Sequence, residues 1–136
     1  MSQRHWLIKS EPAAYSWDDL VKDGETLWDG IRNHRAAGNL RTMKPGERAF
    51  FYHSVTGKEI VGIVEISEAG LPDPKDSAWA AVKVRPVRPL ERPVTLAEIK
   101  ADKALAEEVE LVRLSRLSVA EVRPREWDRV LEMAKS

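Results

Sequence analysis

The chain has 136 residues, no cysteine and a formal net charge of zero, with 43% hydrophobic and 32% charged residues. This length suits one domain with its own core, so we expect a single domain over residues 1–136. The lack of cysteine excludes disulfide scaffolds, iron–sulfur clusters and cysteine nucleophiles. No apolar run reaches the length of a membrane span, and the first residues lack the apolar core of a signal peptide. The sequence therefore predicts a soluble, cytoplasmic protein without a membrane partner, and we expect a monomer.

The zero net charge is a sum of blocks with opposite sign. Residues 11–29 carry six acidic side chains and one basic, whereas residues 30–58 carry six basic and one acidic. A second basic stretch covers residues 113–125. Each block alone is compatible with a solvated face, but a phosphate backbone responds to a local patch and not to the total charge. The composition therefore leaves a nucleic-acid partner open.

The first third of the chain predicts short elements. Trp6–Lys9 has the apolar character of a strand, and Ser16 with Asp19 resembles a capping box that opens a helix ending at Asp23-Gly24. Leu27–Gly30 predicts an extended piece and a turn. Asn33 or Asn39 is positioned to cap a short basic helix.

The remainder predicts strands in the middle and helices at the end. Arg48–Val55 and Ile60–Val64 predict a hairpin, and Gly62 indicates a bulge or a close backbone approach. Val82–Arg85 predicts a half-exposed strand that runs into prolines. Thr95 with Glu98 resembles a capping box at the start of another helix. Pro124 predicts the first residue of a last helix, whose apolar stripe is Trp127, Val130, Leu131 and Ala134. This order predicts an α+β fold with a small curled sheet or barrel.

Motifs of known catalytic sites are absent. The sequence has no G-x-G-x-x-G, P-loop, H-E-x-x-H or G-x-S-x-G. The three histidines have no metal-ligand spacing, so we expect neither a metal nor a cofactor, and we expect His5 to be a hydrogen-bonded structural residue. The carboxylates suggest no acid–base pair. We therefore expect no catalytic residue.

Small polar side chains instead stand beside aromatic ones at the ends of elements. They occur at Lys9-Ser10, at Trp28 with Arg32-Asn33-His34, at Tyr52-His53-Ser54 and at Arg116-Leu117-Ser118. A single extruded base needs a flat ring to stack on and hydrogen-bonding groups along its edge. Nearby arginines would hold phosphates. Aromatic residues in strands are usually core, so on physical grounds both interpretations stay open here.

The same segments resemble a known family. The matching stretches are Trp6–Pro12, Tyr15–Leu20, Trp28–Asn33, Phe50–Ser54, Ile60–Ile63, Pro93–Lys100 and Ser115–Val119. In this order they are similar to the EVE domain. The resemblance implies a PUA-like curled β-barrel with short flanking helices at both ends, akin to YTH and ASCH domains. It also implies a non-catalytic reader of DNA or RNA that takes a modified base, a cytosine or an adenine, into a pocket.

Position by position, the resemblance and the nearby arginines give two sets of candidate residues. The base-pocket set is Lys9, Ser10, Trp28, Asn33, His34, Tyr52, His53, Ser54, Leu117 and Ser118. The phosphate-binding set is Arg32, Arg35, Arg41 and Arg116. Alternation along a strand places Tyr52 and His53 on opposite faces, so only one of them faces the pocket. The chain departs from the family pattern at His34, Ala37 and Gly38, where Tyr, Arg and Asn are common.

The two residues Trp28 and Trp127 receive different predictions. Trp28 precedes a turn among charged residues, so we expect an exposed or half-exposed ring that walls the pocket. Trp127 lies on the apolar stripe of a helix, so we expect it in the core.

Two other functions stay open beside the reader. An ASCH-like amidohydrolase acting on a modified nucleoside would use Lys9 with Glu11 or a nearby hydroxyl as nucleophile and base. A protein-interaction module would leave the basic stretches as solvated faces and the aromatic residues as core. Neither the choice of DNA or RNA nor the modification follows from the residues.

Overall fold

The computed structural model describes residues 4–106 and 109–135. The strands are β1 (His5–Ser10), β2 (Thr26–Trp28), β3 (Arg48–His53), β4 (Glu59–Pro72), β5 (Ala80–Thr95) and β6 (Val119–Val122). The helices are α1 (Trp17–Asp23), α2 (His34–Thr42), α3 (Leu96–Ala101), α4 (Glu110–Arg113) and α5 (Pro124–Ala134). None of the helices in these two ranges is long and apolar enough to cross a membrane.

The six strands form one mixed sheet in the order β2-β5-β4-β3-β1-β6. β1 runs parallel to β3, and the other neighbouring strands are antiparallel. In the described residues the helices lie between strands and after the last strand, so the predicted α+β class is confirmed, whereas the flanking helix expected before the first strand is not seen because β1 is the first element. Within the described residues no ladder joins the edge strands β2 and β6, so strand pairing does not close a barrel.

The sheet nevertheless curls around one hydrophobic cluster, here called the inner core. Trp28 from one edge strand and Val119 from the other belong to it, together with Trp6 and Phe51 from the centre of the sheet. Strands at opposite edges can share a core only if the sheet bends. Register shifts along the β4–β5 ladder supply local bends, as bulges do.

Alternation along β1 separates this inner core from a second cluster on the other face of the sheet. Trp6 and Ile8 point to the inner core, while Leu7 points to the second cluster under α5. There the Trp127 ring stacks on Phe50 with the ring centroids 3.9 Å apart. Trp127 is buried, which confirms its predicted place in the core.

The helix starts follow the predicted capping residues. The Ser16 hydroxyl accepts a hydrogen bond from the Asp19 N–H, and the Asp19 carboxylate accepts one from the Ser16 N–H. Thr95 and Glu98 form the same capping box at α3. Pro124 is the first residue of α5, where its missing N–H costs no helical hydrogen bond.

Gly62 allows β4 to lie directly against α1. A Cβ atom at this position would sit 2.6 Å from ring atoms of Trp17. The ladders on both sides of β4 also shift register beside Gly62. The close approach and the bulge indicated by the sequence are both confirmed.

β4 and β5 are much longer than the sequence pattern predicts. β5 continues through Pro86 and Pro89, although proline cannot donate a ladder hydrogen bond. β2 pairs only with Val82–Val84, so beyond that range one side of β5 has no ladder partner in the described part of the chain. The register shifts toward β4 accommodate the prolines on the other side.

His5 differs from its prediction. Its ring lies against Trp127, with centroids 4.3 Å apart, and its buried Nδ1 has no hydrogen-bond partner in the described residues. The expectation of a hydrogen-bonded histidine is therefore wrong for this atom, because ring packing against α5 holds the side chain. Burial lowers the pKa of His5.

Candidate functional site

The pairing of β1 with β3 brings predicted polar residues together at the carboxyl ends of these two strands. β1 and β3 are parallel, so their carboxyl ends meet, with Ser10 opposite His53. The Ser54 N–H donates to the Ser10 carbonyl at 2.9 Å, and the Lys9 N–H donates to the Ser118 carbonyl at 3.0 Å. Backbone hydrogen bonds thus fix three chain segments beside one another.

Two adjoining cavities open beside these strand ends. The first, here called the lysine cavity, has a volume of about 430 Å³. It is lined by Lys9, Tyr52, Ser54, Val55, Lys58, Leu96, Lys100, Leu111, Ser115, Arg116 and Ser118. The second, here called the leucine cavity, has a volume of about 350 Å³ and is lined by Asn33, Arg35, Leu114, Ser115, Arg116 and Leu117. Ser115 and Arg116 line both cavities, so one ligand can span them.

Lys9 is the half-buried cation of the lysine cavity. Its Nζ donates to the Ser115 carbonyl at 2.7 Å and lies 5.9 Å from the centroid of the Tyr52 ring. Burial lowers the pKa of Lys9 from its ordinary value. No carboxylate forms an ion pair with Lys9 within residues 4–106 and 109–135, so its charge is available to an anionic ligand.

The structure distinguishes the two neighbours Tyr52 and His53. Tyr52 lines the lysine cavity, and burial raises the pKa of its hydroxyl. His53 points to the opposite face, where its Nε2 accepts a hydrogen bond from the Trp17 N–H at the start of α1 at 3.0 Å. Burial lowers the pKa of His53, which favours the neutral ring that can accept this bond. Of the two, Tyr52 therefore faces the cavity and His53 supports α1.

The oxygen and the nitrogen of the Asn33 side-chain amide differ in their hydrogen bonding. Its Oδ1 accepts from the Ala36 N–H at 2.9 Å and caps α2, so Asn33 is the cap among the two residues that the sequence offered. Its amide nitrogen makes no hydrogen bond to the described residues, and Asn33 lines the leucine cavity. Leu117 forms the apolar floor there, because it belongs to the same inner core as Trp28.

Trp28 is a core residue, and the prediction of an exposed or half-exposed ring is wrong. It is 9% exposed and meets Phe51 edge-on with ring centroids 5.7 Å apart. The Tyr15 ring also meets it edge-on, with ring centroids 6.3 Å apart. The sequence offers this ring no helical partners, and its burial comes instead from the curl of the sheet. Trp28 borders a separate cavity that includes Tyr15 and Asp29, outside the linings of the two cavities above.

Ser10 and His34 also lie outside the two cavity linings. The Ser10 hydroxyl donates to the Tyr15 carbonyl and fixes the turn that follows β1. His34 stacks on Trp79 with ring centroids 4.9 Å apart. The sequence alone assigns no role to Trp79, because only the folded β4–β5 connection brings it to the start of α2.

Arg32 is engaged by a buried carboxylate. Its guanidinium donates to both oxygens of Asp73, at 3.0 and 3.3 Å, and Asp73 also accepts from the Gly30 N–H at 2.8 Å. These donors hold the pKa of Asp73 well below its usual range. Arg32 therefore ties the turn before α2 to the β4–β5 connection, which reduces the charge it can offer to phosphate.

The other predicted phosphate ligands differ in availability. Arg35 forms an exposed ion pair with Glu110 at 3.5 Å, and Arg41 donates to the Ala78 carbonyl at 3.0 Å. Arg116 is exposed, lines both cavities and has no ion-pair partner in the described part of the chain. Lys58 and Lys100 line the lysine cavity but were not in the candidate set. Lys58 ends the basic stretch of residues 30–58, whereas Lys100 lies outside both basic stretches, and only the packing of α3 on the β3–β4 loop brings the two together.

The described residues contain no group of three or more His, Asp or Glu side chains that could hold a metal ion. The linings of the two cavities offer hydrogen bonding, apolar contact and positive charge. Such a set suits binding of an anionic, partly aromatic ligand such as a nucleotide.

Solved structures share this architecture. A Rhodopseudomonas palustris protein solved by NMR is 44% identical, with a TM-score of 0.92, over 97% of this chain and 93% of that chain. The human THYN1 protein in complex with DNA containing 5-methylcytosine is 32% identical, with a TM-score of 0.91, over 98% of this chain and 99% of that chain. An ASCH protein from Zymomonas mobilis has a TM-score of 0.56 at 13% identity, which shows a similar fold only.

The sequence relatives agree with the solved structures. Thymocyte nuclear protein 1 from Gallus gallus is 34% identical over 95% of this chain and 68% of its own length. The Homo sapiens protein of the same name is also 34% identical, over 95% of this chain and 73% of its own length. The model of the EVE domain matches residues 4–133. The chain therefore belongs to the EVE domain family.

Proposed function

We propose that this protein binds DNA and reads one modified base, a cytosine or an adenine, that is flipped out of the helix. The observation that carries the proposal is the pair of adjoining cavities that share Arg116, one lined by leucines and an amide and the other by cations and hydroxyls. The similar human THYN1 structure, which contains 5-methylcytosine DNA, supports DNA as the partner.

The leucine cavity is the better place for the base itself. Leu114 and Leu117 offer apolar surface to a base and to a methyl group on it. The amide nitrogen of Asn33 can donate to an acceptor on the base edge while its oxygen continues to cap α2. The planar guanidinium groups of Arg35 and Arg116 can stack on a base face, as arginine does in single-base recognition.

The lysine cavity is the better place for the sugar and phosphate of the same nucleotide. Lys9 and Arg116 bring positive charge, and the hydroxyls of Tyr52, Ser54 and Ser118 can donate to phosphate oxygens. A phosphate there would also compensate for the burial of the Lys9 ammonium group.

We attribute this arrangement to a PUA-like scaffold. The curled sheet and the shared inner core bring the edges β2 and β6 to the same cluster. That curl places α2 beside the segment that leads into β6, where the two cavities meet.

We further propose that the protein acts without catalysis. An ASCH-like reaction would pair Lys9 with Glu11 or with a nearby hydroxyl. Glu11 is exposed and makes no side-chain bond to Lys9 in the described residues, and the hydrogen bond of the Lys9 Nζ goes to the Ser115 carbonyl and not to a hydroxyl. Turnover of an acylated cytidine by the purified protein would contradict the non-catalytic proposal.

The proposal is tested by fluorescence anisotropy with matched DNA duplexes. One strand carries a single 5-methylcytosine, a single N6-methyladenine or no modification, and an RNA duplex of the same sequence is run in parallel. We expect one modified DNA to bind at least about tenfold more tightly than the unmodified duplex, equivalent to about 1.4 kcal/mol. Equal affinity for all duplexes would contradict base reading, and no binding at low salt would favour a protein-interaction module.

Asn33→Ser provides the matched variant. Serine also caps helices well, so α2 should stay folded, whereas the amide donor is lost. We expect the preference for the modified base to fall while binding to unmodified DNA is unchanged. An unaltered preference would show that the base edge is read elsewhere.

A further inference from the structure

We propose that the β3–β4 loop, residues 54–58, together with Lys100 of α3, holds the DNA strand that flanks the base being read: Lys58 and Lys100 bind its phosphates, and Val55 makes an apolar contact with the neighbouring base. This inference rests on the proposed function and assigns a second contact surface to it.

The loop has a strained backbone. Val55 has φ = 66° and Lys58 has φ = 45°, although neither is a glycine. The Thr56 N–H donates to the Ser54 carbonyl at 2.7 Å, which closes a γ-turn around Val55. A β-branched residue is strongly disfavoured at positive φ, so a valine here is unfavourable for folding.

The strained residue presents an apolar side chain to solvent. Val55 is 66% exposed, and the other large hydrophobic residue of the described chain with comparable exposure is Val21 of α1, at 53%. Val21 lies on a helix surface, where a single exposed valine is ordinary. Val55 instead lines the lysine cavity. Proteins that kink DNA insert apolar side chains between base steps and contact the partly unstacked bases.

Two lysines flank this side chain on the same cavity. The Leu96 N–H donates to the Lys58 carbonyl at 2.8 Å, which fixes the end of the loop to the start of α3. Lys100 follows Leu96 by four residues, so both side chains lie on one face of α3, and both line the lysine cavity. Lys58 and Lys100 form no ion pair within residues 4–106 and 109–135.

The positive charge of the lysine cavity extends away from the leucine cavity, which is the proposed site of the base. Arg116 lies where the two cavities meet, and Lys58 and Lys100 line the lysine cavity only. A DNA strand whose flipped base enters the leucine cavity would therefore continue past Lys9 toward the β3–β4 loop. DNA supplies the two features this surface needs, phosphate charge and an exposed base face.

The first experiment measures binding to duplex DNA over a range of salt concentrations. The double variant Lys58→Gln/Lys100→Gln is compared with Lys22→Gln/Lys75→Gln, which removes the same charge from exposed lysines elsewhere. Each lost phosphate contact makes the negative slope of log K against log salt shallower by about 0.9. We expect the first variant to make the slope shallower by nearly two and to weaken modified and unmodified DNA equally, with the control unchanged. Equal slopes for both variants would overturn the inference.

The second experiment separates contact from folding. Asn tolerates positive φ, so Val55→Asn should keep or raise the melting temperature while it weakens DNA binding about threefold or more. Val21→Asn, the control on α1, should not change binding. Unchanged binding by Val55→Asn would overturn the apolar contact.

The outcomes also distinguish this inference from the function on which it rests. If the unaltered protein prefers modified DNA but the lysine and valine variants behave like their controls, only the flanking-strand surface is wrong. If the unaltered protein binds no DNA at low salt, the proposed function and this inference are both wrong.

Discussion

Trp28 shows that a local sequence environment is a weak guide to the burial of a large side chain. Its neighbours Asp29 and Gly30 are exposed, yet its ring packs against Phe51 in the inner core. The neighbours of Trp127 indicate an amphipathic helix, and that ring is buried as well, against Phe50. The periodicity of a helix can be read locally, whereas the curl of the sheet that buries Trp28 depends on strands far away in sequence.

We predict that Trp28→Ala and Trp127→Ala destabilise the fold by similar amounts. Truncation of a buried tryptophan leaves a large cavity and typically costs about 3–5 kcal/mol. The free energy of unfolding in urea measures both losses. A stable Trp28→Ala protein with weakened DNA binding would contradict the core assignment and restore the exposed pocket wall.

Two glycines give opposite predictions for the same substitution. At Gly62 a methyl group would meet the Trp17 ring at 2.6 Å, so we expect Gly62→Ala to destabilise the fold by about 1–3 kcal/mol. At Gly38, inside α2, a methyl group would meet no other side chain within 4 Å, so Gly38→Ala should stabilise the fold by about 0.5–1 kcal/mol. Thermal melts of both variants check this, and loss of stability at both positions would show that α2 has no room for the methyl group.

At the scale of elements, the features predicted correctly are those that depend on residues close together in the sequence. The capping boxes at Ser16 and Thr95 and the start of α5 at Pro124 depend on residues within one turn, and all three were predicted correctly. For α2 the sequence offered Asn33 or Asn39, and the structure has Asn33. The lengths of β4 and β5 depend on pairing between distant segments, so their ends were missed.

The residues of the candidate site likewise fall into two groups, those that local motifs predicted and those that only the folded chain brings together. The motifs at the ends of β1 and β3 located Lys9, Tyr52 and Ser54 at one cavity. The contributions of Lys58 and Lys100 come from the docking of α3 on the β3–β4 loop, which no local pattern encodes.

The start of α1 gives a prediction about pH. His53 accepts the Trp17 N–H with Nε2, and burial lowers its pKa below the ordinary value of 6.5, as burial also does for His5. A histidine whose pKa is lower in the folded state binds protons more readily when unfolded. Its contribution to stability is therefore complete above about pH 6.5 and is lost as the pH falls toward the folded pKa.

We therefore expect the free energy of unfolding to decrease as the pH is lowered from about 7.5 to 5.5. His53→Gln keeps an acceptor for the Trp17 N–H but does not titrate, so this variant should show a smaller decrease over the same range. Urea titrations at several pH values measure the effect. An identical pH dependence in the variant would contradict the role assigned to His53.

For the whole molecule, the fold matters because it joins two chemically different cavities. The parallel pairing of β1 with β3 and the curl toward β6 place an amide and leucines on one side of Arg116, and lysines and hydroxyls on the other. A neutral net charge is compatible with DNA binding under these conditions, because the cations that matter are local.

The central claim is that one modified base leaves the DNA stack and enters the protein. The most direct measurement places 2-aminopurine next to the modified base that the protein binds more tightly, 5-methylcytosine or N6-methyladenine, and follows its fluorescence during titration with protein. We predict a rise in emission with the modified duplex that is absent with the unmodified one and reduced with Asn33→Ser. Saturated binding to the modified duplex without any rise would contradict the account, because the base would then be read within the helix.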